Sequence, residues 1–171
     1  MKQMHSHLLE AIIFAAKAHQ GQKRKYTGED YIVHPLEVAR MVAQANCDLE
    51  IVISAVLHDT VEDCGVSLRE IELRFGKRVA QTVEMLTDVS KPEDGNRAVR
   101  KTIDREHTAK ASKDAMVVKI CDLIDNTKSI VEHDKDFAKI YLKEKLLLLE
   151  VLKGADDYLW NIAFNQVKVE V

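Results

Sequence analysis

Apolar residues return at intervals of three and four along most of the chain, and short polar or glycine-bearing stretches interrupt them. Leu8, Ile12, Ala15 and Ala16 predict an amphipathic helix over 8–18, with Gly21 beyond it as a left-handed cap. Residues 26–30 read as a turn. Pro35 is placed as the first residue of the next helix, in which Leu36, Val38, Ala39 and Val42 face inward up to Ala45. Ile51, Val52, Ala55, Val56 and Val61 keep helical spacing, so one helix is expected over 49–62, broken at Gly65. Ser67, with Glu70 three residues on, predicts a capping box for a helix that runs to Phe75 and stops at Gly76. Helices over 78–89 and 97–111 flank a loop at 91–96, which holds Pro92 and Gly95. Ser112 caps a helix over 114–133, and two more follow over 137–152 and 156–165. The reading is an all-α helical bundle forming a single domain over 1–171, without repeats or low-complexity tracts.

Composition narrows the class. With 46% hydrophobic and 31% charged residues the chain has the make-up of a globular protein with a full core. The net charge of -3 argues against a nucleic-acid surface. No apolar run reaches the ~20 residues that span a bilayer, and Glu10 and Lys17 interrupt any signal-peptide pattern near the start. Cys47, Cys64 and Cys121 form no Cys-x-x-Cys pair, so a disulfide framework is not expected and a reducing cytoplasm is.

Chemistry concentrates in Leu57-His58-Asp59-Thr60-Val61-Glu62-Asp63, one imidazole and three carboxylates next to an apolar run. On one continuous helix His58 and Glu62 lie four apart, as do Asp59 and Asp63, giving two adjacent stripes of ligand-type groups. Charge packed this densely beside a buried face calls for a partner, and a divalent metal is the natural one. Asp122, four residues before Asn126 on a largely apolar helix, and His34, beside Pro35, are the other candidates. His34, His58, Asp59 and Asp122 together make a mixed nitrogen and oxygen set suited to Mn²⁺, with iron or zinc as alternatives. Read alone, Asp122 is as well explained as a solvated surface carboxylate, His34 as a loop histidine without a task, and the His-Asp dipeptide as a chance pairing in a chain with seven histidines; only their combination points to a site.

Two carboxylates offset the charge of a divalent ion, so an anionic substrate needs cations of its own. Lys23, Arg24 and Lys25 precede His34, Arg97, Arg100, Lys101 and Arg105 line one helix, and Lys119 precedes Asp122. Arg24 and Lys25 are favoured, because their loop leads directly to His34.

The run His19-Gln20-Gly21-Gln22-Lys23-Arg24-Lys25 through Tyr31-Ile32-Val33-His34-Pro35 resembles the opening motif of the RelA/SpoT hydrolase domain. The 57–63 cluster resembles that family's His-Asp motif and the acidic pair after it; Phe75-Gly76-Lys77-Arg78-Val79-Ala80 and residues 119–126 resemble two further motifs. The length, and residues 96–107, are similar to the stand-alone small alarmone hydrolases. The resemblance implies an HD-superfamily helical fold and Mn²⁺-dependent hydrolysis of ppGpp or pppGpp to GDP or GTP plus pyrophosphate. It implies metal ligation by His34, His58, Asp59 and Asp122, catalysis by Glu62 and Asp63, and nucleotide contacts from Arg24, Lys25, Asn126 and Ser129. Leu123 and Asp125 depart from the family pattern near the substrate, which leaves guanine or adenine preference open. Two other readings stand beside it: an HD-superfamily phosphatase acting on NADPH, an adenine alarmone or another nucleotide, and an alarmone-binding protein without turnover. The latter would be expected to lack a ligand or the acidic pair. In each of these readings the partner is a small nucleotide rather than a nucleic acid or membrane; a helical interaction module would leave the acidic cluster unexplained.

Overall fold

The computed structural model describes residues 2–45 and 47–168, almost all of them helical or in short connections between helices. The all-α expectation holds: among the described residues the one extended pairing is an isolated antiparallel bridge between Lys23 and Asp30. The chain divides into two compact units, the first ending at Thr87 and the second beginning at Asp88.

The first unit is built around α3 (Leu49–Leu57). Every residue from Ile51 to Leu57 is buried, so this helix presents no polar face. Asp48 starts it, its carboxylate accepting from the backbone N–H groups of Glu50 and Ile51. Around it pack α1 (Lys2–Ala18), α2 (Val33–Gln44) and α6 (Lys77–Leu86), while α5 (Leu68–Phe75) lies against α6. Fully buried Val38, Val42, Ile51, Leu57, Ile71 and Val79 form the centre, each contributing roughly 1.5–3 kcal/mol by leaving water. Ser67 accepts from Glu70 N–H as expected and Gly76 separates α5 from α6.

Two expectations are corrected here. Ala16 is exposed, whereas Ala15 is buried as expected and Ala11 joins it on the buried stripe of α1. The single helix over 49–62 is two: α3 ends at Leu57, and α4 (Thr60–Cys64) follows after His58 and Asp59. Asp59 flattens to φ -93° and ψ -5°, while the Thr60 hydroxyl donates to Leu57 O at 2.7 Å and closes the turn. Asp63 N–H still donates to Asp59 O at 2.9 Å, so that pair keeps its four-residue relation across the break. Gly65, at φ 69°, ends α4 in the left-handed region where a side chain is strained.

In the second unit α8 (Lys113–His133) packs on α9 (Lys135–Val151) and α10 (Asp157–Lys168), and α7 (Arg97–Thr108) packs on α9. Ser112 caps α8 through Ala115 N–H, and Asp134 caps α9 through Phe137 N–H. The expected loop at 91–96 contains a short 3₁₀ turn, Pro92–Asp94. Asp104 of α7 ties this unit's entry segment down: it accepts from Val89 N–H, Ser90 N–H and the Ser90 hydroxyl at 3.1, 2.9 and 2.9 Å. Between the three last helices lies Lys145, 1% exposed, donating to Thr127 Oγ1 and Gln166 Oε1 at 2.8 Å each.

Candidate metal centre

His34, His58 and Asp59 come together in the first unit. His34 enters at the start of α2, where its N–H bonds to Tyr31 O at 2.9 Å and Pro35 sits in the same first turn. His58 and Asp59 occupy the break between α3 and α4. Both imidazoles are buried, 1% and 3% exposed, and their rings meet edge to face at 5.3 Å. One ligand atom from each of the three residues lies within 4.8 Å of the other two.

The protonation pattern follows from the partners. His58 Nδ1 is 2.8 Å from Ala55 O, and a carbonyl only accepts, so Nδ1 carries the hydrogen. In the neutral ring Nε2 then presents its lone pair, and it does so 3.1 Å from Asp59 Oδ2. His34 Nε2 is 3.6 Å from the same oxygen. Lone pairs gathered this way need a cation or a proton among them. Ligands about 2.1 Å from one ion stand about 3 Å apart at right angles, so the spacing fits a divalent metal. Tyr31 supplies a supporting contact, its hydroxyl donating to Asp59 Oδ2 at 2.8 Å.

Beyond the break, Glu62 and Asp63 are exposed on α4, and Asp63 Oδ2 accepts from Gln22 Nε2 at 3.0 Å. Arg24 lies over the Tyr31 ring, 5.9 Å from its centre. Lys25 is exposed, bonded to the Tyr26 hydroxyl at 3.0 Å and lying over its ring. The bridge between Lys23 and Asp30, with an ion pair of 2.7 Å, closes the loop that holds Arg24 and Lys25.

Asp122 belongs to α8 in the second unit, buried at 7% exposure. Asn126 Nδ2 donates to its Oδ1 at 2.6 Å, and Lys119 Nζ stands 3.2 Å from its Oδ2. The shared face expected for Asp122 and Asn126 is therefore real. Ser129 is half-buried one turn further on. Burial works to raise the nearby Asp88 carboxyl, but Lys119 and Lys101 outweigh it and hold it below the usual range. Arg97 and Lys101 are committed to carboxylates, Arg97 in a two-pronged pair with Glu144 and Lys101 with Asp88 at 2.7 Å. Tyr31 and Gln22 have no role in the sequence-based expectations, because the carboxylates they bond lie 28 and 41 residues away along the chain.

A helical unit that gathers two histidines and an aspartate able to hold a metal ion, with His58 and Asp59 adjacent at a helix break, has the His-Asp arrangement of the HD class of proteins. Residues 11–147 match the HD domain family, and the chain belongs to it. The chain is 38% identical over 135 residues to guanosine-3′,5′-bis(diphosphate) 3′-pyrophosphohydrolase of Aquifex aeolicus, an alignment covering 78% of this chain and 19% of that protein. It is 39% identical over 129 residues to the MESH1 form of that enzyme from Xenopus tropicalis, covering 72% of this chain and 69% of the relative. Thus the chain spans about a fifth of the long relative and about two thirds of the short one. Its fold superposes with a TM-score of 0.86, at 24% identity, on the solved metazoan ortholog of SpoT, covering 95% of this chain and 94% of the other. That protein is described as hydrolysing ppGpp.

Proposed function

We propose that this protein hydrolyses the 3′-diphosphate of ppGpp and pppGpp, releasing pyrophosphate and leaving GDP or GTP. The observation that carries the reading is the convergence of His34, His58 and Asp59, with an acidic pair one turn beyond on α4. Relatives named for this reaction support it. His34, His58, Asp59 and Asp122 would hold the ion, which we take to be Mn²⁺ because the donor set mixes imidazole with carboxylate. When bound, such an ion acidifies water and offsets phosphoryl charge.

The chain's own groups do the rest. Water attacks the phosphorus bonded to the ribose 3′-oxygen, the P–O3′ bond breaks, and pyrophosphate leaves. Glu62 or Asp63 takes up the water's proton and returns one to the 3′-oxygen. Arg24 and Lys25, on a loop closed by the Lys23–Asp30 bridge, bind phosphate oxygens through charge-assisted hydrogen bonds. Asn126 and Ser129 on α8 contact the ribose and base. A cytoplasmic location is supported by Cys47, Cys64 and Cys121, none of which forms a disulfide among the described residues. Among the described residues no helix is long and apolar enough to cross a membrane.

The test is direct. Metal-stripped protein receives Mn²⁺ and ppGpp, and ion-exchange chromatography follows GDP and pyrophosphate, with Asp122→Ala run in parallel. GDP formed only with Mn²⁺, and lost in the variant, is the expected result. Inert ppGpp despite bound Mn²⁺ would overturn the substrate, and adenine alarmones and NADPH would be tried next.

A further inference from the structure

We propose that His19 is a positioning residue for this centre, holding Asp59 through Tyr31 and Asp63 through Gln22. The inference rests on the hydrolase reading of the site and assigns a task to a buried imidazole that the mechanism leaves unused. His19 is 3% exposed and follows the last turn of α1, its N–H donating to Ala15 O at 2.9 Å. Gly21, at φ 83°, turns the chain back so that Gln22 N–H donates to His19 O at 3.0 Å. The two side chains then meet, with His19 Nδ1 2.7 Å from Gln22 Oε1.

That contact carries a direction. The amide oxygen only accepts, so Nδ1 holds the hydrogen, and the Gln22 amide is turned with its NH₂ outward. Gln22 Nε2 donates to Asp63 Oδ2 at 3.0 Å. With the amide reversed, its oxygen would face a carboxylate and its NH₂ an N–H group, two repulsions in place of two hydrogen bonds. The His19 tautomer thus decides how Asp63 is held.

The face of the same ring acts on the other acid. His19 and Tyr31 lie 4.8 Å apart between ring centres at 31°, and the Tyr31 hydroxyl donates to Asp59 Oδ2 at 2.8 Å. Tyr31 also meets His34 edge to face at 5.7 Å. His19 therefore backs the tyrosine that orients the carboxylate oxygen shared by both metal-facing imidazoles. Cys64 Sγ completes the packing 3.2 Å from Nδ1. Burial, with Asp63 and Asp59, pushes that thiol up, so it stays protonated and neutral beside the ring.

Edge and face can be separated by substitution. His19→Phe keeps a ring against Tyr31 and removes the donor to Gln22. Its Mn²⁺ affinity, read by the electron paramagnetic resonance of the free ion, is expected to stay within roughly two-fold, while kcat falls roughly ten-fold with KM little changed. His19→Asn keeps a donor at the Nδ1 position and removes the ring. There Mn²⁺ affinity is expected to fall roughly ten-fold, with most of kcat recovered at saturating Mn²⁺. A parallel loss of both quantities in both variants, or no change in either, overturns the proposal. Where thermal unfolding shows that a variant does not fold, Tyr31→Phe must reproduce the affinity loss and Gln22→Met the kcat loss, and failure of either also overturns it. If the wild-type protein binds Mn²⁺ but turns over no alarmone, the hydrolase reading falls, and the affinity comparison alone judges His19.

Discussion

His58 Nε2 and Asp59 Oδ2 face each other at 3.1 Å although they belong to consecutive residues. Holding a lone pair against a carboxylate is unfavourable until a cation joins them, so binding and folding are coupled here. Mn²⁺ at about a hundred times its Kd should stabilise the protein by about 2.7 kcal/mol. Differential scanning calorimetry with and without chelator measures the shift, and His58→Ala is expected to abolish it.

Glu62→Gln should leave Mn²⁺ binding intact and lower kcat by roughly 10²-fold, because an amide cannot accept the water's proton. The exposed position of Glu62 on α4 means that the substitution should barely change the melting temperature. Equal turnover by the variant would move the base role to Asp63.

Lys145 makes stability depend on pH. Burial pushes its amine down to about 7, with Asp122 working the other way, against 10.5 for an unperturbed lysine. Between these values the unfolded chain binds more protons than the folded one, so stability rises with pH from about 7 to about 10.5. Melting temperatures from pH 7 to 9.5 should therefore climb more steeply in the wild type than in Lys145→Met.

Asp104→Ala should destabilise the protein by about 2–4 kcal/mol, because it strands the N–H groups of Val89 and Ser90 in a partly buried place. Urea unfolding measures this, and Asp104→Asn, which keeps an acceptor oxygen, should recover much of the loss.

Much of this could be seen in the order of residues. Ser67, Ser112 and Gly76 announce the helix ends they make, since each acts on backbone within three residues of itself. His34, His58 and Asp59 were legible as a set from residue type and motif. The break at Asp59 was not, because its apolar neighbours keep helical spacing through it, and only the Thr60 hydroxyl bond to Leu57 O marks the turn. Lys145 was hidden for the opposite reason: a lysine reads as surface. Its position betrays it, since Ala138, Leu142, Lys145 and Leu149 form the buried stripe of α9. Hydrogen bonds from Tyr31 and Gln22 reach across 28 and 41 residues, a range no local pattern records.

The interrupted helix also sets a rule for anyone borrowing this centre. Neighbouring residues on an unbroken α-helix point about 100° apart, so a His-Asp dipeptide written into an ideal designed helix would send its donors in different directions. A transplant has to carry the flattened aspartate, the threonine that follows it and the short acidic helix beyond as one piece.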